Sequence, residues 1–266
     1  MQKHIEYLRS KSGFICDMDG VIYHGNQLLD GVKPFMDWLT THNKRFLFLT
    51  NSSERSPREL KEKLARLGIV VGEEIFYTSA LATAAFLSSQ KPGGSAYVIG
   101  EAGLVTALHD AGFSMNDMNP DFVVVGETRS YSYEKIEHAV NLVRNGARLI
   151  GANSDLTGRI GDRIVPATKA MIAPIELAGG QQAYFVGKPN PLMMRHALRQ
   201  LGIPREETVI VGDRMDTDIL AGIESAIDTV LVLSGVTQRG DLPRFAYQPT
   251  CVLNGVGDFV PGLGVV

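Results

Sequence analysis

Continuous apolar runs that end in a polar or charged residue constrain the fold of this chain more than any other feature. Residues 14–16 lead directly into Asp17, and residues 209–211 lead through Gly212 into Asp213. Short runs of this kind are typical of strands buried on both faces, as in a parallel sheet. Helical patterns lie between the runs. The alternation therefore predicts an α/β fold in which a doubly wound parallel sheet is connected by right-handed crossovers.

The length and the order of the predicted elements indicate an insertion. At 266 residues the chain is longer than a typical domain of ~100–200 residues, but short for two independent large ones. A second series of strands and helices begins near Ala96 and ends near Gly151. We therefore predict a Rossmann-like core from residues 1–79 and 184–266, with an inserted α/β cap domain from residues 80–183.

Local signals place several boundaries inside this framework. Ser56, Pro57 and Glu59 have the spacing of a capping box with a first-turn proline, and Gly68 is placed to end that helix. Residues 153–168 are polar and contain glycine, so we predict a loop there. The apolar run at residues 184–186, which leads into Lys188, is predicted to be a strand of the core sheet.

The composition excludes several classes of protein. The formal net charge is -3, which gives no reason to expect a nucleic-acid polymer or an anionic membrane as a partner. No apolar run approaches the roughly 20 residues that span a bilayer, and the first residues lack a signal-peptide core. The two cysteines and six scattered histidines suggest neither a disulfide framework nor a zinc site. We therefore expect a cytoplasmic enzyme.

Asp17 and Asp19 are the first candidates for chemistry. Residues two apart in a strand point to the same face at a separation of roughly 7 Å. Two carboxylates in that position repel each other unless a cation lies beside them. The pair therefore predicts a metal ion, a lysine or both, although the same residues also occur in ordinary surface turns.

Four predicted strand ends carry complementary chemistry, and ligands in parallel α/β sheets bind beyond the carboxyl ends of the strands. These strand ends bear Asp17 with Asp19, Thr50 with Asn51, Lys188, and Asp213. Clustered carboxylates indicate a hard divalent cation such as Mg²⁺, and Lys188 can balance the charge of a nucleophile and a phosphate. Thr50 and Asn51 can donate to phosphate oxygens. The set suits phosphoryl transfer in which one aspartate attacks phosphorus and the other protonates the leaving oxygen.

In combination, these motifs resemble those of a known family. The sequences D-x-D-G-V at Asp17, T-N-S at Thr50, V-G-K-P at Lys188 and V-G-D-R-M-D-T-D-I at Asp213 are similar to the four motifs of the haloacid dehalogenase superfamily of phosphatases. Further phrases, including V-G-E-T-R-S-Y from Val125, resemble the NagD-type branch. The resemblance covers nearly the whole chain.

The resemblance implies a role for each matching residue. Asp17 would be the nucleophile, and Asp19 the acid that protonates the leaving group and later activates water. Mg²⁺ would be held by Asp17, the backbone carbonyl of Asp19, and Asp213. Asp218 would lie beside the metal site, where it would orient a metal-bound water or Lys188. The phosphate would be bound by Thr50, Asn51 and Ser52, and the cap would select the leaving group.

The cap loop departs from the family's pattern. A P-G-x-G-A turn is expected there, whereas Pro166-Ala167-Thr168-Lys169-Ala170 has lost both glycines and gained a lysine. Asn153, Asp155 and Lys169 are candidates for substrate contacts in the cap. The alternative is that these residues only cap or solvate a loop.

The leading function is that of a magnesium-dependent phosphatase for small phosphomonoesters, above all nucleoside 5'-monophosphates such as UMP. The nearest alternative is a phosphatase for glycerol phosphate, a sugar phosphate or pyridoxal phosphate. A phosphoacceptor signalling domain is an alternative of a different class, but it has no use for a leaving-group acid or a cap. The expected partner is a small phosphorylated metabolite, and the sequence leaves homo-oligomerisation open.

Overall fold

The computed structural model describes residues 2–160 and 163–263. Its helices are α1 (Gln2–Ser10), α2 (Val32–Thr41), α3 (Pro57–Arg66), α4 (Ser79–Gln90), α5 (Ala102–Asp110), α6 (Tyr133–Arg144), α7 (Thr168–Gly179), α8 (Pro191–Leu201) and α9 (Leu220–Glu224). Its strands are β1 (Gly13–Cys16), β2 (Tyr23–His24), β3 (Gln27–Leu28), β4 (Arg45–Thr50), β5 (Phe76–Thr78), β6 (Ser95–Ile99), β7 (Ser114–Met115), β8 (Phe122–Val125), β9 (Arg148–Gly151), β10 (Thr157–Ile160), β11 (Arg163–Pro166), β12 (Tyr184–Phe185), β13 (Thr208–Gly212), β14 (Asp228–Val232) and β15 (Cys251–Leu253).

The described residues divide into two compact units. The first unit comprises Met1–Thr50, Lys61–Tyr77 and Lys188–Val266, as far as these ranges are described. Its sheet has the strand order β15-β14-β13-β1-β4-β5. Strand β1 pairs in parallel with β13 on one side and β4 on the other, and all of its residues are buried. The carboxyl ends of β1, β4 and β13 therefore lie side by side at one edge of the sheet.

An aromatic cluster packs against the central strand of the first unit. The Phe14 ring in β1 meets Trp38 of α2 at a centroid distance of 5.6 Å and Phe259 at 5.5 Å. Phe35 of α2 stacks with Trp38 at 6.1 Å. Each of these rings is buried, and burying one aromatic side chain is worth roughly 1.5–3 kcal/mol. The cluster holds β1, and with it the residue that follows the strand, in a fixed position.

The second unit comprises Asn51–Leu60 and Thr78–Gly187. Its main sheet has the strand order β12-β9-β8-β6-β7, and its pairings are parallel. Buried side chains of β6, β8 and β9 pack with α6 and α7. Both units thus contain a parallel sheet flanked by helices, and the predicted α/β fold, a doubly wound core with an inserted α/β domain, is confirmed.

The domain boundary differs from the prediction at residues 51–60. The sequence placed them in the core, whereas in the structure they group with the second unit. Hydrogen bonds explain the difference, because the Gly103 backbone N–H donates to the Glu54 carbonyl at 3.0 Å and the Ser53 N–H donates to the Glu127 carboxylate at 3.1 Å. Such partners, far away along the chain, leave no local pattern in the sequence.

The predicted loop at residues 153–168 is wrong where β10 and β11 lie, at Thr157–Ile160 and Arg163–Pro166. Strands β10 and β11 pair as an antiparallel hairpin in which Thr157 lies opposite Pro166 and Arg159 opposite Ile164. Residues 161 and 162, part of the same prediction, lie outside the described residues. Backbone pairing in a two-stranded hairpin needs no buried apolar face, so polar composition does not reveal it.

The predicted core strand that leads into Lys188 is also wrong. Strand β12 ends at Phe185 and pairs with β9 of the second unit, Tyr184 opposite Ile150 and Phe185 opposite Gly151. An apolar run indicates burial in a parallel sheet but does not specify which sheet, and this chain has two such sheets. Lys188 itself belongs to the first unit, three residues after the strand ends.

The predicted helix boundaries agree with the structure. The Ser56 N–H donates to the Glu59 carboxylate at 2.8 Å, and the Glu59 N–H approaches Ser56 Oγ at 3.4 Å, as in a capping box. Gly68 follows α3 with φ of 86°, a left-handed conformation that favours glycine. Among the described residues, no helix has the length and apolarity needed to cross a membrane.

Candidate active site

The carboxyl edge of the first unit's sheet brings together the predicted strand-end residues of β1, β4 and β13. Asp17 directly follows β1, and its backbone N–H donates to the Val211 carbonyl of β13 at 2.8 Å. Asp213 directly follows β13, and Thr50 is the last residue of β4. The parallel pairing of the three strands therefore sets these residues beside one another, as the strand-end argument predicted.

Lys188 lies at the centre of this edge and is only 2% exposed. Its ammonium donates to Asp17 Oδ1 at 2.6 Å, to Asp218 Oδ1 at 2.7 Å and to the Leu49 carbonyl at 3.0 Å. Three acceptors around one ammonium satisfy its donors and fix its position. Lys188 therefore joins Asp17 and Asp218 although it does not come from a strand of this sheet.

A distorted turn presents Asp218 to Lys188. Met215–Ile219 form a π-helical turn, closed by a hydrogen bond of 3.2 Å from the Ile219 N–H to the Arg214 carbonyl. Such turns are rare and occur often at functional sites. Asp218 Oδ2 accepts from the Arg214 N–H at 3.1 Å, while Oδ1 accepts from Lys188. The carboxylate is thus held at both oxygens.

Asp213 is fixed by a close approach of the backbone. Its Oδ2 accepts from the Val236 N–H at 2.7 Å. A Cβ added to Gly235 would lie 2.0 Å from the same oxygen, and one added to Gly20 would lie 2.6 Å from it. Gly20 also has φ of 80°. Glycine is required at both positions because a side chain would displace the carboxylate.

Three carboxylates meet at this edge of the sheet. Oxygens of Asp17, Asp213 and Asp218 all lie within 4.8 Å of one another. With the single charge of Lys188, the four groups carry a net charge of -2 when all are ionised. Buried carboxylate oxygens in this number and charge are the donors that a hard divalent cation prefers. The group therefore fits a divalent metal ion.

Burial and the neighbouring charges shift the pKa values of these groups away from their ordinary ranges. Burial raises the pKa of Asp17 to about 7, a rise that the Lys188 ammonium opposes and the Asp218 carboxylate increases. Burial and the neighbouring Asp17 and Asp218 carboxylates raise the pKa of Asp213 well above its usual range. Burial alone would lower the pKa of Lys188, but Asp17 and Asp218 outweigh that effect and raise it. A further cation would favour the ionised carboxylates.

Asp19 stands apart from this buried group. Its side chain is 61% exposed, and its Oδ1 lies 3.6 Å from His24 Nδ1. The backbone around it is fixed, because the Gly20 N–H donates to the Tyr23 carbonyl at 2.8 Å and Ser234 Oγ donates to the Gly20 carbonyl at 2.7 Å. An exposed carboxylate on a rigid backbone can exchange protons with a ligand or with water, which the buried carboxylates cannot do as readily.

Asn51 and Ser52 follow Thr50 in the chain, and the structure assigns them to the second unit. The Asn51 carbonyl accepts from Ser79 Oγ at 2.5 Å and from Asn153 Nδ2 at 2.8 Å. The Asn51 side-chain amide donates to Asp155 Oδ2 at 3.2 Å. Asn51 is 8% exposed, and Ser52 is partly buried. The second unit thus holds the segment that begins at Asn51.

Asn153 and Lys169, both predicted substrate contacts, differ in their exposure. Asn153 is fully buried, and its amide group contacts the protein through both Nδ2 and Oδ1. The predicted direct contact between Asn153 and substrate therefore has no support in this structure. Lys169 is exposed in the first turn of α7, where its backbone N–H donates to the Asp155 carbonyl at 3.0 Å. Lys169 remains a candidate for a substrate contact.

Glu127 is prominent in the structure but was not among the predicted site residues. Glu127 accepts hydrogen bonds from Ser53 and Asn153, although it follows a strand of the second unit. Its motif, Val125-Gly126-Glu127, repeats the pattern of Val211-Gly212-Asp213, a buried strand followed by glycine and a carboxylate. That repetition is the signal that could have identified it.

Comparison with known proteins identifies the family of this chain. A family model described as haloacid dehalogenase-like hydrolase matches residues 14–114, and a second, described as HAD-hydrolase-like, matches residues 185–259. The dihydroxyacetone phosphatase of Corynebacterium glutamicum (strain R) is 46% identical over 92% of this chain and 89% of its own length. The ribonucleotide monophosphatase NagD of Escherichia coli (strain K12) is 42% identical over 92% of this chain and 96% of its own length. A solved structure of NagD from E. coli K-12 superposes with a TM-score of 0.87 at 41% identity, over 94% of this chain and 98% of that one.

Proposed function

Because this chain belongs to the haloacid dehalogenase-like hydrolases and is a phosphoric monoester hydrolase, we propose that it cleaves small phosphomonoesters through an aspartyl-phosphate on Asp17. The observation that carries the proposal is the buried Lys188 ammonium, which Asp17 and Asp218 share at 2.6 and 2.7 Å. A lysine in this position holds the nucleophile in one orientation and keeps positive charge beside the group it attacks.

Two displacements at phosphorus make up the proposed reaction. In the first, a carboxylate oxygen of Asp17 forms a bond to phosphorus while the bond to the leaving alkoxide breaks, and protonated Asp19 donates its proton to the leaving oxygen. In the second, the Asp19 carboxylate accepts a proton from water as the water oxygen attacks phosphorus. The bond from phosphorus to Asp17 then breaks, so phosphate is released and both aspartates return to their starting states. The exposure of Asp19 suits this exchange of protons.

The donor set described above leads us to propose Mg²⁺ as the metal. Asp17 and Asp213, with the backbone carbonyl of Asp19, would hold it, and Asp218 would orient Lys188 or a metal-bound water. When bound, Mg²⁺ offsets the negative charge of the carboxylates and of the phosphate oxygens. The protein's own contribution is the fixed orientation of Asp213, set by Val236, Gly20 and Gly235.

The remaining proposed contacts concern the substrate. Thr50, Asn51 and Ser52 would bind the transferred phosphate with hydroxyl and backbone N–H donors. The second unit would act as the specificity domain, in which the exposed Lys169 contacts the leaving group. Asn153 is buried, so its contribution to substrate binding would be indirect.

Nucleoside 5'-monophosphates such as UMP are the proposed substrate class. The similarity to a ribonucleotide monophosphatase, 42% identical over nearly the whole chain, supports this choice. Small carbohydrate phosphates are a second candidate, because the relative named dihydroxyacetone phosphatase is 46% identical. Lys169, in the first turn of α7, stands where the family pattern has no charged residue, and it would place a positive charge near the leaving group.

Phosphate release from a panel of monophosphates, including UMP and dihydroxyacetone phosphate, tests the proposal. The native chain and Asp17→Asn are compared with and without Mg²⁺, and Asp30→Asn serves as a control because Asp30 is exposed in the same unit. We expect Mg²⁺-dependent release that Asp17→Asn abolishes and Asp30→Asn leaves intact. The ratio of kcat/KM for UMP to that for dihydroxyacetone phosphate decides between the two classes. Turnover by Asp17→Asn at the native rate would exclude the covalent mechanism.

A further inference from the structure

Glu127 is the centre of a hydrogen-bond network in the second unit. Its Oε2 accepts from the Ser53 N–H at 3.1 Å and from Ser53 Oγ at 2.5 Å, and its Oε1 accepts from Asn153 Nδ2 at 2.6 Å. In return, the Glu127 N–H donates to Ser53 Oγ at 3.2 Å. Ser53 and Glu127 are thus bonded in both directions across 74 positions of sequence.

The same network extends to the backbone of Asn51. Asn153 Nδ2, which donates to Glu127, also donates to the Asn51 carbonyl at 2.8 Å. Ser79 Oγ donates to the same carbonyl at 2.5 Å. Ser53, Ser79 and Asn153 have no measurable exposure. Residues 51–53 are therefore held at both ends by buried groups that are connected to one carboxylate.

Close packing also restricts the conformation of residues 51–53. A Cβ added to Gly126 would lie 2.5 Å from Ser53 Oγ, and one added to Gly187 would lie 2.8 Å from both Asn51 Oδ1 and Asn153 Cβ. Real Cβ atoms do not approach neighbours at 2.5 Å, so the glycine at Gly126 is what permits Ser53 to reach Glu127. The segment is fitted into the second unit as well as bonded to it.

The network requires acceptors at both oxygens of Glu127. Oε1 faces one donor and Oε2 faces two, so an ionised carboxylate satisfies all three. A glutamine would present an NH₂ group to one of these oxygen positions. Either the Ser53 N–H or Asn153 Nδ2 would then face another donor, and a buried donor without an acceptor is costly.

We propose that Glu127 is a positioning residue for the phosphate-binding segment 51–53, an inference that rests on the proposed role of Asn51 and Ser52. Glu127 sets the path of this backbone through Ser53 and, by way of Asn153, through the Asn51 carbonyl. It acts on the part of the site that every substrate shares, the phosphate, although it belongs to the unit expected to recognise the leaving group.

A role in phosphate positioning and a role in stability alone predict different kinetics. If Glu127 only stabilises the fold, its loss reduces the amount of active protein, so kcat falls while KM and the inhibition constant of inorganic phosphate stay constant. If Glu127 positions residues 51–53, inorganic phosphate binds more weakly as well. If Glu127 instead recognises the leaving group, the loss varies from one substrate to another.

Glu127→Gln, measured on UMP, dihydroxyacetone phosphate and p-nitrophenyl phosphate, separates these cases. We expect kcat/KM to fall about 10- to 100-fold, by a similar factor for all three substrates, because small misplacements of a binding group are costly. The inhibition constant of inorganic phosphate should rise several-fold. Glu101→Gln is the matched control, since Glu101 accepts hydrogen bonds from Thr128 and Arg129 next to Glu127 in the chain. It should stay within twofold of the native chain.

A second variant keeps the test decisive if Glu127→Gln folds poorly. Ser53→Ala removes one donor and one acceptor of the pair but retains the Ser53 N–H, so a smaller loss with the same pattern is expected. The double variant should lose little more than Glu127→Gln alone, because both changes remove the same contact. An unchanged phosphate inhibition constant in both single variants, or a loss confined to one substrate, overturns the proposal. Failure of the proposed function would show separately, as turnover by Asp17→Asn.

Discussion

Replacing Lys188 with methionine removes the charge at the centre of the site while nearly preserving side-chain length. The ammonium is 2% exposed and donates to Asp17 and Asp218 at 2.6 and 2.7 Å. In the variant, Asp17 loses the donor that orients it, and three neighbouring carboxylates lose their nearest cation. We therefore predict loss of both activity and stability, for separate physical reasons.

The magnitude of each effect follows from the contacts. A hydrogen bond to a charged group contributes about 1.5–3 kcal/mol, so two such bonds correspond to about 3–6 kcal/mol, or roughly a 10²- to 10⁴-fold loss of kcat. Removing one partner of a buried ion pair costs about 3–5 kcal/mol of folding free energy. This second cost requires ionised carboxylates, so for the metal-free protein it should be greater at pH 8 than at pH 5.

Lys11→Met is the matched control for Lys188→Met. Lys11 lies in the same unit, is 6% exposed, pairs with Asp228 at 2.5 Å and donates to the Glu206 carbonyl at 2.6 Å. It should lose stability with little change in kcat. The assay is kcat on one substrate with saturating Mg²⁺, together with denaturant unfolding of the metal-free protein at both pH values. A kcat for Lys188→Met within threefold of native would refute the role assigned to this lysine.

Two further predictions concern the carboxylates around Lys188. The pKa of Asp17 is raised to about 7 and that of Asp213 is raised, so between about pH 4 and 7 the folded metal-free protein holds protons that the unfolded chain has released. The Tm of the metal-free protein should therefore fall as pH rises through that window, and added Mg²⁺ should stabilise the protein most at pH 8. Asp213→Asn should make Tm depend less on pH. A Tm that rises between pH 4 and 7 would contradict the prediction. Gly235→Ala would place a Cβ 2.0 Å from Asp213 Oδ2, so the Mg²⁺ concentration needed for half-maximal activity should rise about tenfold. Gly240→Ala is the control: no atom lies within 4 Å of the added Cβ, so the Mg²⁺ requirement should not change. Equal Mg²⁺ requirements in the two alanine variants would show that Asp213 does not depend on Gly235.

Asp17, Thr50 and Asp213 lie together as predicted. Their prediction required only a local sequence pattern for each strand and the fact that parallel strands end on the same side of a sheet. The apolar run before Asp17 and the run before Asp213 each specify a buried strand, and parallel neighbours bring their carboxyl ends to one edge. Nothing more is needed to place Asp17, Thr50 and Asp213 together. The prediction succeeded here without knowledge of the strand order.

Lys188 lies beside Asp17 as predicted, but the strand that precedes it is not the predicted one. Its apolar run forms β12 of the second sheet, and only after three further residues does the chain reach Asp17 and Asp218. Local pattern identified the run but could not distinguish two sheets of the same type. Lys188 was predicted to lie there as the end of a core strand, and that reason is wrong. The separate argument that paired carboxylates require a metal ion, a lysine or both holds whichever strand precedes the lysine.

The partners of Asn153 and Glu127 could not be read from the sequence, although the motif Val125-Gly126-Glu127 marks Glu127 as a strand-end carboxylate. The hydrogen bonds that define their roles join residues 102 and 74 positions apart. Asn153 was a candidate for a substrate contact in a stretch predicted to be a loop. Its full burial depends on donors and acceptors contributed by three separate segments, and no periodicity within any one of them encodes that arrangement.

The chain passes between the two units beside two of the residues proposed to act on substrate, Thr50 and Lys188. Thr50 ends one segment of the first unit and Asn51 begins the second unit, while Gly187 ends the second unit and Lys188 returns to the first. Within the second unit these crossings are packed together, because the space around Gly187 is filled by Asn51 Oδ1 and Asn153 Cβ. The second unit thereby constrains Asn51 and Gly187, the residues that directly follow Thr50 and precede Lys188 in the chain. The hydrogen bonds that Glu127 accepts from Ser53 and Asn153 hold this part of the second unit in place.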